Sequence, residues 1–410
     1  MDLMPYEEAL SIVLENTVLI GTSERLAFTE CLGRVLAEDV LTDTDKPLFD
    51  NSAMDGYAVR SQDIQNASED NPVRLEVIGE VAAGGEQTYT VKQGQAVKVF
   101  TGAPLPEGAD CVVPVELTQR DGNTVLIKKA LKSGANIRRK GEEVKAGEVL
   151  IKKGTVIRPY EIGLCASVNK AILSVYTLPK VAVLSTGDEI KDVGEPIEKP
   201  SQIRTSNNYT IFAMAKAMGL NVQNLGIVKD DPETIKKILS NIYDYDVFIT
   251  TGGVSAGDKD FVKMLVREVG VDVKFHKVRI KPAKPILFGT YGKRGLFFGL
   301  PGNPVSCAIA FDLIVRPALL KMMGREDYMP TYQEAYLIRT FERKDADRRE
   351  FVRARVWYEN GKLLCDYSEK LQSHMLTSYV GMNAYMVVPE DVKRIEEGSR
   401  VKVVYFPWVY

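Results

Sequence analysis

Residues 180–189 read KVAVLSTGDE, residues 246–260 read DVFITTGGVSAGDKD and residues 295–306 read GLFFGLPGNPVS. Each is a short apolar run of β-branched or aromatic residues that ends in a polar, glycine-bearing loop, the signature of a strand buried on both faces. Between and after them lie stretches with helical spacing: NYTIFAMAKAMG at 208–219, DPETIKKILSNI at 231–242, DFVKMLVREVG at 260–270 and PVSCAIAFDLIVRPALLKMMG at 304–324. Strand and helix in turn over 177–324 predict a parallel α/β sheet with helices on its faces.

Upstream, PYEEALSIVLEN at 5–16 has the period of a helix opened by proline, and RLAFTECLGRVLAEDV at 25–40 has a helical look as well. From about Pro47 to Tyr176 the pattern turns to short β-rich runs, such as VRLEVIGEV, AVKVFTG, CVVPVE and TVLIKK, parted by turn residues, which predicts an all-β, barrel-like region. After residue 332 the chain is β-rich again, with EFVRARVWYENGKLLCDY at 350–367 carrying an Asn360-Gly361 hairpin turn. The fold class expected is therefore multidomain α/β plus β: a parallel-sheet α/β subdomain flanked by β-rich subdomains and a small C-terminal β domain. The boundaries read from these shifts are 1–46 with 141–176, 47–140, 177–327 and 328–410.

At 410 residues with 45% hydrophobic side chains, the chain has material for several cores. Lys plus Arg number 53 against 55 for Asp plus Glu, so no global basic field exists to hold nucleic acid or an anionic membrane. Apolar runs are broken well before the length of a membrane span, and MDLMPYEEAL has no basic segment before an apolar one, which reads as cytoplasmic. Five scattered cysteines with no CxxC pair, and only His276 and His374, argue against disulfide scaffolds, zinc sites and His-based triads.

Ligands of open α/β sheets lie beyond the carboxyl ends of the strands. The loops at 185–189, 250–260 and 300–304 therefore predict a phosphate or oxyanion pocket, in which Gly252, Gly253, Ser255 and Asn303 let backbone or small polar groups approach an anion. Neither GxxxxGK[ST] nor GxGxxG occurs, which disfavours a P-loop enzyme or a dinucleotide-binding one. Asp188, Glu189, Asp230, Asp258 and Asp260 stand at strand ends, where carboxylates can converge on a hard cation. Asp231 precedes Pro232 and reads instead as a helix N-cap. Lys277, Lys281 and Lys284 in KVRIKPAKPILFG supply the opposite charge, with 277 and 281 on one face of an extended segment.

Seven strings in order, FDNSAMDGYAV, TGAPLPEGADCVV, IRRKGEE, STGDE, TTGGVSAGDKD, KPAKP and LPGNPVS, resemble those of the MoeA/gephyrin family of molybdopterin molybdenumtransferases over nearly the whole chain. The resemblance implies an elongated homodimer of four subdomains, with a molybdopterin-binding-like α/β subdomain. It also implies a reaction in which molybdate is inserted into adenylylated molybdopterin with Mg²⁺-dependent release of AMP. Contact with the partner adenylyltransferase is implied too.

Residue by residue, the resemblance places Asp55, Thr101, Glu189, Asp230, Asp260, Lys277 and Lys281 on active-site positions. Glu189, Asp230 and Asp260 are the expected Mg²⁺ ligands, and Asp55 and Lys281 are expected catalytic groups. Arg353 and Ser373 are the expected contributors from the C-terminal domain. Two departures stand out: Gly141-Glu142-Glu143 where many members have GED, which lengthens the arm of Glu143, and Ala283 where KPGKP is usual. The competing readings are a gephyrin-like scaffold without catalysis, and the same chemistry with tungstate.

Overall fold

The computed structural model describes residues 3–85, 87–253 and 261–408. The chain divides into two units, one of residues Arg25–Leu32 and Leu36–Leu173, the other of Met1–Glu24, Gly33–Val35 and Ser174–Tyr410.

The second of these holds the α/β subdomain. Its sheet is built from β1 (Lys180–Thr186), β2 (Asn221–Val228), β3 (Val247–Thr251), β4 (Asp272–Phe275), β5 (Leu287–Tyr291) and β6 (Gly295–Leu300), in the order β2-β1-β3-β6-β5-β4. The first four in that order run parallel, as the strand–helix alternation predicts, with Val183 opposite Ile249 and Thr251 opposite Leu300. β5 instead joins β6 antiparallel, because only the short turn at 292–294 separates them and leaves no length for a crossover, and β4 pairs antiparallel with β5.

β3 and β6 are buried along their whole length and β1 everywhere except Lys180, which explains their near-continuous apolar sequence. Alternate residues go to opposite faces. On one face Val181, Val183, Ile249 and Phe298 meet helices α1 (Tyr6–Glu15), α2 (Asn207–Ala217) and α5 (Pro304–Ala310). On the other, Ala182, Leu184, Phe248 and Phe297 meet α3 (Pro232–Leu239) and α4 (Phe261–Glu268). Each fully buried Leu, Ile or Phe here contributes about 1.5–3 kcal/mol relative to exposure. Helix α5 passes through a π-helical segment, Phe311–Val315, into α6 (Arg316–Met322), and nearly all of this stretch is buried.

The C-terminal β region closes on itself. Strands Arg349–Glu359, Lys362–Tyr367, Gln333–Leu337, Arg400–Tyr405 and Ala384–Val388 pair in that order, and the last pairs back to the first. Closure removes the exposed edges that a small sheet would present. The predicted hairpin is present, with Asn360 at φ +49° and Gly361 at φ +75°. A short strand from the lysine segment, Ile280–Lys281, joins the barrel in parallel beside Arg349 and Glu350.

The other unit contains a six-stranded sheet ordered Cys111–Pro114, Gly56–Val59, Gln95–Val99, Val73–Val81, Thr124–Ile127 and Thr118–Asp121. Among the described residues it stays open, in contrast to the C-terminal barrel. Pairing of Asn51–Ser52 with Ile137–Arg138 brings FDNSAMDGYAV beside IRRKGEE.

The helical look of 25–40 does not survive. Ser23–Ala27 is a strand, Phe28–Glu30 a single 3₁₀ turn, and Gly33 at φ +78° reverses the chain, a conformation no helix contains.

Candidate functional site

The carboxyl ends of β1, β3 and β6, together with the loop after β2, open into one cavity of about 660 Å³. Its wall includes Thr186, Glu189, Asp230, Gly252, Gly253 and Asn303, so the three glycine-bearing loops do converge, and Glu189 from the first of them meets Asp230 from the loop after β2 on one wall. A cavity of similar size, about 680 Å³, lies beside α1 and is lined by groups such as Tyr6, Leu10 and Arg349, with none of these loops.

Backbone conformation at Gly252 and Gly253 explains the double glycine. Their φ angles are +88° and +65°, and a Cβ on Gly252 would sit 2.5 Å from the Thr186 carbonyl oxygen. A Cβ on Gly253 would sit 2.6 Å from Val262 Cγ2 and 2.9 Å from Thr186 Oγ1. Only glycine lets this turn lie against the end of β1.

Asp188 is not on the wall; its Oδ1 accepts the backbone N–H of Asp230 at 3.1 Å and so fixes the loop that presents Asp230. Asp231 caps α3, accepting from Thr234 N–H at 2.9 Å and from the Thr234 hydroxyl at 2.5 Å, as the Pro232 spacing predicts. Those two bonds, the hydroxyl's first, hold its carboxyl below the usual range. Ser255, Asp258 and Asp260 lie outside the described residues.

The lysine segment folds back at its tip. Ala283 is buried at φ +78°, and Val278 N–H donates to the Lys284 carbonyl at 3.0 Å. Lys281 leans on the barrel, 3.2 Å from Glu350 Oε1, while exposed Lys284 stands beside Pro285 on the cavity wall. Lys277 gives its carbonyl to the N–H of Met4 at 3.2 Å.

Arg353 is 1% exposed and donates to Ser378 Oγ at 2.9 Å and to the Lys370 carbonyl at 2.6 Å. It braces the barrel and is not on the cavity wall. Ser373 meets the site through its backbone, accepting the Val305 N–H at 3.0 Å. That bond seats the barrel loop over the LPGNPVS turn and places His374 and Leu376 on the wall.

Sequence reading missed His374, set aside as an isolated imidazole, although it adjoins the chosen Ser373. It also missed Thr186 and Asn207. Asn207 ties the start of α2 to the LPGNP turn by donating from Nδ2 to the Gly302 carbonyl at 2.7 Å. Thr186 is the last residue before the glycine of STGDE, so its position at a buried strand end was the available signal.

In the other unit, Asp55 Oδ1 accepts both the N–H and the hydroxyl of Thr101, each at 2.7 Å. These bonds, the backbone one first, hold its carboxyl below the usual range. Asp50 accepts Lys140 N–H at 2.8 Å and Arg139 Nη1 at 2.6 Å, which locks the two family strings together. Glu143 reaches Lys46 Nζ at 3.0 Å, so its longer arm is spent on a partly exposed ion pair.

Models of three protein regions match the chain in order: the MoeA N-terminal region (domain I and II) over residues 4–169, a probable molybdopterin binding domain over 182–321, and the MoeA C-terminal region (domain IV) over 339–406. The chain belongs to the MoeA family. A Bacillus subtilis protein named molybdopterin molybdenumtransferase is 36% identical over 94% of this chain and 90% of its own length. A Haemophilus influenzae protein of the same name is 33% identical over 98% and 99%. The crystal structure of a molybdopterin biosynthesis MoeA protein from Pyrococcus horikoshii superimposes with a TM-score of 0.83 at 33% identity, covering 99% of this chain and all of that one.

As a MoeA-family member the chain thus carries the fold its strings implied, α/β core and β-rich flanks included. No described helix is long and apolar enough to cross a membrane.

Proposed function

We propose that this protein inserts molybdate into adenylylated molybdopterin, with Mg²⁺-dependent release of AMP. Its place among the molybdopterin molybdenumtransferases of molybdenum cofactor biosynthesis follows from near-full-length identity with relatives that bear that name. The observation that carries the finer reading is the single cavity at the strand ends, which joins glycine turns suited to phosphate with two carboxylates suited to a hard cation.

The donor set fits Mg²⁺, which typically takes one or two carboxylates and completes its shell with water and substrate phosphates. Glu189 and Asp230 would hold it, with Asp260 as the third candidate; among the described residues no group of three His, Cys, Asp or Glu side chains is placed to hold a metal ion. When bound, the ion would offset charge on the pyrophosphate bridge and on the departing AMP phosphate. The chain's own part is to shape and orient: Gly252 and Gly253 admit the bridge close to β1, Asp188 holds the Asp230 loop, and Asn303 closes the far wall. Lys277, Lys281 and Lys284 supply positive charge for molybdate, with Arg353 and Ser373 shaping the barrel side of that site.

We extend the proposal to a homodimer in which Asp55, Thr101 and Glu143 of one chain serve the α/β loops of the other. Exposed Leu48, Phe49 and Met54 beside Asp55 support a surface that is covered in the assembly. Contact with the molybdopterin adenylyltransferase and the division at 46, 140, 176 and 327 belong to the same reading.

The test is turnover of adenylylated molybdopterin with molybdate, following AMP release and metal content together. Asp230→Asn should abolish AMP release while thermal unfolding stays cooperative. Molybdenum loading without AMP, or AMP release from the variant at the parent rate, would overturn the mechanism. Metal analysis after competition with tungstate decides which oxyanion is carried.

A further inference from the structure

Four hydroxyls stand at the carboxyl ends of two adjacent strands: Ser185 and Thr186 on β1, Thr250 and Thr251 on β3. Ser185 and Thr251 satisfy each other at 2.7 Å. Thr186 and Thr250 point to the opposite face, and the Oγ1 atoms of both are buried without a hydrogen-bond partner among the described residues. The two differ in one respect. Thr250 is fully buried and off the cavity, whereas Thr186, 2% exposed, is part of the cavity wall.

A buried hydroxyl without a partner is destabilising, since it has given up water and received nothing in return. Valine has nearly the same shape and would fill the position without that loss. The neighbouring glycine bears on the same atom: a Cβ on Gly253 would sit 2.9 Å from Thr186 Oγ1 as well as 2.6 Å from Val262 Cγ2, so glycine there leaves the hydroxyl uncrowded on that side.

We propose that Thr186 is a ligand-contacting residue whose hydroxyl donates to a phosphate oxygen of the substrate, and that its unsatisfied state is the preorganised form of that contact. The inference rests on the phosphate-site reading above and deepens it by naming a donor. A neutral threonine suits the place. It adds a hydrogen bond to an anion without repelling the cation that Glu189 and Asp230 would hold, as a lysine there would.

The experiment compares Thr186→Val and Thr186→Ser in the full chain, with pyrophosphate and AMP as probes in calorimetry with Mg²⁺ present, and with thermal unfolding measured without ligand. Thr186→Val should unfold at the same temperature as the parent or higher, because the orphaned polar atom is gone, yet bind pyrophosphate about tenfold or more weakly. Thr186→Ser should stay close to the parent in affinity. Parent-like affinity in Thr186→Val, or equal losses in both variants, overturns the inference and leaves the phosphate site standing. If the parent binds neither probe, the phosphate-site reading itself fails, and this inference with it.

Discussion

Lys281 Nζ lies 3.2 Å from Glu350 Oε1. Glu350 is also 3.3 Å from Arg343 Nη1, and the Glu350 and Arg343 side chains are only 5% and 3% exposed. One buried carboxylate therefore holds the cation of the lysine segment against the C-terminal barrel. The pair is a structural joint between the strand Ile280–Lys281 and the strand Arg349–Glu359.

Removing one partner of a buried ion pair strands the other charge, at a cost of about 3–5 kcal/mol. Glu350→Gln should accordingly lower the unfolding free energy by about 3 kcal/mol, measured by urea denaturation of the full chain. A loss under about 1 kcal/mol would mean that water already screens the joint.

Ala283 offers a finer test of the same segment. Its φ of +78° is a left-handed conformation that costs a non-glycine residue about 1–2 kcal/mol. Ala283→Gly relieves that strain, but it loses a buried methyl worth about 0.8 kcal/mol and frees the unfolded chain by a similar amount. The terms nearly cancel, so stability should change by less than about 1 kcal/mol. Ala283→Val, β-branched at the same φ in a 2% exposed position, should lose more than about 2 kcal/mol. Equal stability of the two variants would show that the loop simply changes conformation.

Much of this was legible in the sequence for a physical reason. β1, β3 and β6 are buried on both faces, so their apolar runs are continuous, and the loop that ends β3 carries two glycines because its turn demands φ values of +88° and +65°. What periodicity could not show is how a side chain is spent. Arg353, which the resemblance assigns as a contributor from the C-terminal domain, has its guanidinium engaged by Ser378 and the Lys370 carbonyl within the barrel. Lys281 reads as a cation for an anionic ligand, and Glu350 stands beside it. Residues 25–40 show the reverse error: apolar spacing near a helical period was a by-product of turns around Gly33, with only alternate stretches such as Val35 and Leu36 buried.

The proposed sharing of the site between two chains predicts complementation. Asp55 lies in one unit and Asp260 in the sequence of the other, so a dimer that pairs unlike units has two equivalent sites. Mixing inactive Asp55→Ala chains with inactive Asp260→Ala chains should restore one intact site per heterodimer, up to about one quarter of parent activity after random exchange. Absence of recovery after exchange has been demonstrated by mass spectrometry would place the whole site within one subunit.

Asp312 gives a pH dependence whose sign can be worked out. It sits in the π-helical segment between α5 and α6, 6% exposed, with Oδ2 accepting the Tyr385 hydroxyl at 2.7 Å and, among the described residues, no hydrogen-bond partner for Oδ1. Burial pushes its carboxyl up from 3.8 to about 7, against the opposing pull of Tyr385, Arg316 and Trp408. Tyr379, which shares a 3.0 Å hydrogen bond with Tyr385, completes the polar surroundings. The folded chain thus binds a proton that the unfolded chain releases at lower pH. Stability from this group is fully present below the unfolded value, declines as pH rises from about 4, and is gone once pH passes about 7. Asparagine is neutral throughout and keeps one amide oxygen as an acceptor. The stability of Asp312→Asn relative to the parent should therefore rise from about pH 4.5 and level off above about pH 7, measured by urea denaturation at each pH up to about pH 8. A difference that stays constant across that range would show that Asp312 keeps the same protonation state throughout, and that its burial is compensated by the groups around it.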